Sequence, residues 1–322
     1  MRLIRSLETP PPSARGASVA LGNFDGVHRG HQAVLDAARA AARPLGAPLG
    51  VLTFEPHSRQ FFRPDDPPFR LTPLRAKVLR LRALRVDLLY VAHFDRNFSQ
   101  RTAESFVRDV LVRGLGVRHV AVGEDFVFGH QRRGNAALLR DIGAQEGSFE
   151  VTVVGTIGAA ATVKSSRVRA LLAEGQPLPA AEILGAWWRV AGVVRHGDAR
   201  GRLLGYPTAN LAMDGLVRPR FGIYAVRVQI EGEAALRPAV ASIGIRPTFG
   251  GGRPLFEVHL FDFQGDLYGR HLCVDVVEFL RPELKFPDVP SLQQAMADDS
   301  ARAGAILASP HYAADRFRLG PA

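Results

Sequence analysis

The sequence predicts two domains: an α/β domain built on a parallel sheet, then a small antiparallel β-barrel that ends in a helix. Three observations support that prediction. Short apolar runs alternate with helical patterns five times before residue 182. From Trp187 onward apolar residues alternate singly with polar ones, the period of half-buried strands. Helical periodicity returns only at Leu292. The 322 residues are enough for about two domains, with spans 1–182 and 183–322 expected.

In the first domain Ala17–Leu21 leads to a helix through Ala42, and Leu49–Phe54 leads, after a long loop, to a helix opening at Thr72-Pro73. Asp87–Val91 precedes a helix over Thr102–Leu111, His119–Val122 one over Ala136–Gln145, and Glu150–Val154 one over Ser166–Glu174. Such βα units form an open parallel sheet with helices on both faces, and ligands bind at the carboxyl ends of its strands. After EGQPLPAAEILG, the segments WRVAGVV, GIYAVRVQI, LRPAVASIG, LFEVHLF and HLCVDVVEF read as the strands of the second domain.

Composition narrows the functional classes. No apolar stretch approaches the roughly 20 residues of a membrane span, so no membrane partner is expected. The amino terminus MRLIRSLETPPPSARG turns polar before a signal-peptide core can form, which predicts a cytoplasmic protein. The net charge of +10 is spread over arginines on helical faces such as LRAKVLRLRALR, and nucleic acid is not expected as a partner. The single cysteine, Cys273, excludes an intramolecular disulfide and a cysteine-rich metal cluster. Its setting, LCVDVV, predicts a buried strand position.

Two stretches point to phosphate chemistry. GNFDGVHRGH, residues 22–31, sits where the first strand hands over to a helix. A glycine-rich turn before a helix N-terminus leaves backbone N–H groups for a phosphate, and His28 and His31, three residues apart, can face one ligand. Such a cradle suits nucleotidyl transfer, in which a phosphate attacks the α-phosphorus of ATP. In Ser165-Ser166-Arg167 the hydroxyls, a guanidinium and a helix start make an anion site or, alternatively, an ordinary N-cap. In GRLLGYPTANL, residues 201–211, Thr208 and Asn210 share one side of an extended segment and can bind Mg²⁺, although the same residues also suit a plain turn. Glu257, between Phe256 and Val258 in an alternating strand, projects away from both. Asp262 and Asp266 read as hairpin residues and His259 as structural.

GNFDGVHRGHQAVL, followed in order by TFEPHSRQFF, FDRNFSQRTAESFV, GEDFVFGHQRRGN and KSSRVR, resembles the amino-terminal module of bacterial bifunctional riboflavin kinase/FAD synthetases. GRLLGYPTANL, with FGIYAVRV, SIGIRPTFG, FEVHLFDFQGDLYG and RPELKF, is similar to the riboflavin kinase signature. The resemblance implies a Rossmann-like nucleotidylyltransferase domain, which adenylylates FMN to FAD, followed by a riboflavin kinase barrel. It implies ATP, Mg²⁺ and flavins (riboflavin, FMN and FAD) as ligands, with small molecules as substrates. Gly22, Asn23, Phe24, Asp25, Gly26, His28 and His31 would hold ATP phosphates, with Ser165, Ser166 and Arg167 opposite them. His57, Phe62, Asp125 and Phe126 would lie toward the flavin. In the kinase, Gly201, Gly205, Thr208 and Asn210 would bind ATP, Thr208 and Asn210 its metal, and Glu257 would be the base.

Departures from the family pattern are Lys164 for serine, Ser58 for proline, Val127 for arginine, Asn135 for aspartate or threonine, and Ser242 for asparagine. A second reading is a riboflavin kinase whose GEDFVFGHQRRGN loop no longer accepts FMN; a third is a regulator using the barrel as a binding module. The oligomeric state is open at this stage.

Overall fold

The computed structural model describes residues 1–155, 163–197, 201, 204–245 and 254–317. Two compact units emerge, Met1–Asp66 with Lys77–Val163, and Pro67–Ala76 with Lys164–Ala322. Among the described residues no helix is long and apolar enough to cross a membrane.

The first unit opens with β1 (Arg2–Ile4), β2 (Ser18–Leu21), α1 (Arg29–Leu45) and β3 (Leu49–Glu55). It continues through α2 (Ser58–Phe62), α3 (Leu74–Ala83), whose first residues belong to the second unit, β4 (Leu88–His93), α4 (Arg96–Ser99) and α5 (Ala103–Ser105). A π-helix (Phe106–Gly114), β5 (His119–Gly123), α6 (Ala136–Gln145) and β6 (Glu150–Val154) complete it. All six strands are parallel, in the order β1-β4-β3-β2-β5-β6. Connections leave β2 in one direction toward β3 and β4, and the chain returns to its other side for β5 and β6. The crevice of a doubly wound sheet therefore lies between β2 and β5.

The inner strands β2, β3, β4 and β5 are almost wholly buried, as a sheet covered on both faces requires, while the edge strands β1 and β6 are not; Val19, Val51, Leu52, Val120 and Val122 have no exposed surface. At the amino ends of the strands Ser18 donates to the Ala38 carbonyl at 2.7 Å, which leaves its oxygen to accept from His119 Nδ1 at 2.9 Å. His119 Nε2 lies 2.9 Å from Thr152 Oγ1, so one imidazole ties β2, β5 and β6 together.

The second unit begins with α7 (Ser165–Glu174) and α8 (Pro177–Leu184). Its sheet contains β7 (Trp188–Val193), β8 (Ala209–Ala212), β9 (Gly222–Ile230), β10 (Leu236–Ile245), β11 (Pro254–Leu260) and β12 (His271–Arg281), followed by α9 (Val289–Ala308). The antiparallel order is β7-β12-β9-β10-β11-β8, and an antiparallel bridge between Arg195 and Asn210 closes it into a barrel. Val190, Leu211, Val228, Phe256 and Val274 fill the interior. Helix α9 packs Ala303 on Ala225, Val240 and Leu280, and its Asp299 receives both arms of Arg281, at 3.0 and 2.6 Å.

The compact division falls nearer the amino terminus than the expected 182/183 boundary. Val168, Leu171 and Leu172 of α7 and Leu184 of α8 are buried in the barrel's core cluster. The stretch Pro67–Ala76 joins them: Leu71 is fully buried there, Trp188 Nε1 donates to its carbonyl at 3.0 Å, and Arg169 Nε donates to that of Phe69 at 2.6 Å. Cys273 also differs from expectation. It lies on β12 but is half-buried, because Leu272 and Val274 take the inward positions and leave it beside Arg189 and Asp275 on the outer face.

Both tryptophans, Trp187 and Trp188, belong to the second unit, so indole fluorescence reports on it alone. Leu172→Ala, which opens a cavity in that core, is expected to lower the stability seen by fluorescence-monitored urea unfolding by about 2–5 kcal/mol. An unchanged midpoint would show that α7 does not belong to this core.

Candidate functional sites

The first site is built on the turn between β2 and α1, at the carboxyl edge of the sheet. The turn is strained: Phe24 and Val27 have φ of 50° and 45°, a left-handed backbone that costs a non-glycine residue on the order of 1 kcal/mol or more. Burial and hydrogen bonds hold it. Both side chains are fully buried, the Asn23 carbonyl accepts from Lys77 Nζ at 2.8 Å and from Thr53 Oγ1 at 3.0 Å, and the Val27 carbonyl accepts from Gln32 Nε2 at 2.9 Å.

His28 caps α1: its Nδ1 accepts the backbone N–H of His31 at 3.3 Å, so in the neutral ring the proton sits on Nε2. The His28 and His31 rings stack with centroids 3.7 Å apart. Gly30 is small for that reason, since a Cβ there would lie 3.1 Å from the His28 ring. Burial, then the charges of His28 and Lys77, hold the His31 imidazole well below its ordinary pKa. Two buried side-chain atoms here, Asn23 Oδ1 and His31 Nδ1, have no hydrogen-bond partner, and Asp25 is 2% exposed beside them in the chain. Buried polar atoms of this kind are the exception in a folded protein, and a ligand, an ion or a water can supply their partner.

The expected flavin residues follow β3 and β5, the two strands that flank β2 in the sheet. His57 caps α2, its Nδ1 accepting from Arg59 N at 3.1 Å. Phe62, at the end of α2, is 63% exposed. Asp125 is exposed in the loop after β5, and Phe126 stacks on Phe128 at 5.6 Å. A continuous chain of ring contacts joins Phe62 to Phe126 through Phe94, Phe98, Phe106 and Phe128, with spacings of 5.5–6.0 Å. The intervening rings come from separate strand and helix ends, and the sequence reading missed their common purpose.

Ser165, Ser166 and Arg167 open α7, with Lys164 at the cap position and no side-chain cap bond. Both serines lie inside the first turn of the helix, one and two residues after the cap position. Arg167 is exposed and pairs with Glu174 at 3.5 Å.

In the second unit the register puts Asn210 directly opposite Glu257, and Glu257 opposite Ser242. Directly opposed residues share a face, so Asn210, Glu257 and Ser242 form one polar row across β8, β11 and β10. Phe256 and Val258 point into the core with no exposure, which sends Glu257 the other way as the alternation predicts. Asn210 is 6% exposed beneath Gly197, where a Cβ would come within 2.5 Å of its amide nitrogen, and its Oδ1 has no partner.

The turn before it is tight: Tyr206 N donates to Gly201 O at 2.8 Å, a Cβ on Gly201 would run into the Tyr206 carbonyl, and Gly205 has φ 82°. His259 Nδ1 donates to the Pro207 carbonyl at 2.9 Å, which makes it the support of this turn. Thr208 lines a cavity of about 70 Å³ with Val194, Pro207, Val258, Phe263 and Tyr268. Asp266 accepts from Tyr268 N at 2.9 Å as a hairpin residue does. Arg202, Leu203 and residues 246–250 of SIGIRPTFG lie outside the described residues.

Comparison with known proteins matches both halves. A family model described as FAD synthetase covers residues 11–168, and one described as riboflavin kinase covers residues 184–307. The chain is 40% identical over 305 residues to a bifunctional riboflavin kinase/FMN adenylyltransferase of Escherichia coli (strain K12), covering 94% of this chain and 97% of that one. It is 41% identical over 310 residues to the protein so named from Pseudomonas fluorescens, covering 96% and 98%. A solved structure titled as a macrolide-efflux protein from Streptococcus pneumoniae superposes with a TM-score of 0.82 at 30% identity, over 94% of this chain and 98% of that one.

The lowered pKa of His31 has a measurable consequence. Below pH about 6.5 the unfolded chain binds a proton at this residue while the folded chain does not, so stability present above that pH is lost as pH falls toward the folded pKa. His119, also lowered by burial, acts in the same direction. His31→Asn is expected to flatten the fall in unfolding free energy, measured by urea titration between pH 6.5 and 5, by up to about 1.4 kcal/mol per pH unit. An identical slope would mean that His31 titrates alike in both states.

Proposed function

Because the chain belongs to the bifunctional riboflavin kinase/FMN adenylyltransferase family, and so makes FMN from riboflavin and FAD from FMN, we propose that its two reactions divide between the sites described above. We assign FMN adenylylation to residues 1–182 and riboflavin phosphorylation to residues 183–322, with α7, α8 and Pro67–Ala76 packed into the core of the kinase barrel. The observation that supports two separate sites is a set of buried side-chain polar atoms without a partner in each unit, Asn23 Oδ1 with His31 Nδ1 in one and Asn210 Oδ1 in the other.

In the kinase, Glu257 orients the 5′-hydroxyl of riboflavin and takes its proton as the oxygen attacks the γ-phosphorus of ATP. Hard oxygen donors suit Mg²⁺, and Thr208 and the orphaned Asn210 Oδ1 fit it. When bound, Mg²⁺ supplies charge for the phosphoryl oxygens. Gly201 and Gly205 let the backbone turn tightly beside the ATP.

In the adenylyltransferase an FMN phosphate oxygen attacks the α-phosphorus of a second ATP, and pyrophosphate leaves. Gly22, Asn23, Phe24, Asp25 and Gly26 frame the phosphates. His28 donates from Nε2–H, its Nδ1 being committed to the helix cap, and the neutral His31 ring stacks behind it. Ser165, Ser166 and Arg167 supply further anion donors. His57, Phe62, Asp125 and Phe126 line the flavin side, where the aromatic chain offers faces for the isoalloxazine ring. The reading places the enzyme in the cytoplasm, with small-molecule substrates and neither nucleic acid nor membrane as partners.

The test is chromatography of the flavins formed from riboflavin or FMN with ATP and Mg²⁺. His28→Ala and His31→Ala are each expected to reduce FMN-to-FAD conversion by about 10²–10³-fold while FMN formation continues. Glu257→Ala is expected to reduce FMN formation by about 10²–10⁴-fold while supplied FMN still becomes FAD. Chelation of Mg²⁺ by EDTA is expected to stop both reactions. Loss of both activities in each folded variant would sink the assignment of separate sites.

A further inference from the structure

Lys77 has no exposed surface, and the functions assigned above do not use it. An ammonium group is costly to remove from water, so each of its N–H groups needs an acceptor. Its acceptors include the Asn23 carbonyl at 2.8 Å, Thr53 Oγ1 at 3.2 Å and Glu55 Oε1 at 3.4 Å. Thr53 gives its own hydroxyl proton to the Asn23 carbonyl at 3.0 Å, so its oxygen is left to accept from Lys77. The Asn23 carbonyl thereby takes two donors, its full capacity.

A simple buried ion pair bracing helix to sheet would put the carboxylate closest. Of these three bonds the shortest goes to main chain, and to the residue just before the left-handed Phe24. Thr53 and Glu55 lie on β3, two residues apart on one face, so Lys77 links α3, β3 and the strained turn at one atom. Its charge also bears on the His31 imidazole.

We propose that Lys77 is a positioning residue for FMN adenylylation: by pinning the Asn23 carbonyl it holds the Gly22–Val27 turn in the shape that presents Asn23, Asp25 and His28 to ATP. This rests on the reading of that turn as the ATP site. Lys77 touches no reacting atom and acts through Asn23.

The experiment uses the full chain carrying Lys77→Met, Thr53→Val, or both. Each protein is assayed for FMN-to-FAD kinetics, for riboflavin kinase rate, and for amide hydrogen exchange in peptides covering residues 22–28. Lys77→Met is expected to lower FAD formation about 10²-fold, with the kinase rate within about twofold of wild type. Exchange in 22–28 should rise about tenfold while β4 and β5 stay protected. Thr53→Val should do the same more weakly. The double variant should be no worse than Lys77→Met alone, because both act on one carbonyl.

FAD formation and turn protection both unchanged in Lys77→Met would overturn the proposal, as would loss of protection across the whole first sheet in Thr53→Val. If Lys77→Met unfolds the first unit, Thr53→Val decides: normal exchange and normal FAD formation there also overturn it. Wild-type protein that made FMN but no FAD would sink the reading of the ATP site, while the exchange data would still decide whether Lys77 holds the turn.

Discussion

The first site depends on a backbone that its own residues disfavour. Phe24 and Val27 are held at positive φ, where a side chain crowds the following carbonyl, and the whole presentation of Asn23, Asp25 and His28 follows from those two torsions. Apolar burial of both side chains, worth roughly 1.5–3 kcal/mol for each large side chain, is of the size needed to offset the cost of those torsions. Carbonyl bonds to Asn23 and Val27 add to it and fix the direction of the turn. A glycine at either place would relax the strain but would lose the buried side chain that locks the turn to the sheet.

The second site uses a different device. A barrel strand needs no unusual torsions to bring polar groups together, because antiparallel register does it: Asn210, Glu257 and Ser242 come from three strands yet stand in one row. A slip of one residue would turn all of them inward and their apolar neighbours outward, so burial of Phe256 and Val258 sets the register of the row. The tight turn from Gly201 to Tyr206 and the His259 bond to Pro207 then fix where Thr208 enters that row.

Much of this was legible in the sequence. Hydrophobic period separates the parallel sheet from the barrel, and α6 and β6 fall on the residues expected. Glu257 shows its outward direction through simple alternation. Other features leave no local mark. Lys77 sits in LRAKVLRLRALR among arginines that face solvent, and nothing in that run distinguishes the one buried cation. The π-helix Phe106–Gly114 keeps an amphipathic pattern that reads as α-helix, since the extra residue per turn shows only in the hydrogen bonds. The aromatic chain from Phe62 to Phe126 is assembled from distant segments, which only the topology brings together. β1 is three residues long, too short for any periodicity.

The stretch Pro67–Ala76 has a kinetic consequence. Its bonds to Arg169 and Trp188 span 100 and 117 residues of chain. Made early during synthesis, Leu71 has no core to enter until the barrel strands have emerged, so its apolar surface stays exposed through that interval. A barrel cut out at residue 184 would lack Leu71, Val168, Leu171 and Leu172 altogether, and would leave the Trp188 N–H buried without its acceptor, a loss of about 1–3 kcal/mol for that group alone. Closing this barrel is therefore a late, long-range event in folding, and the piece that completes it is among the first to be made.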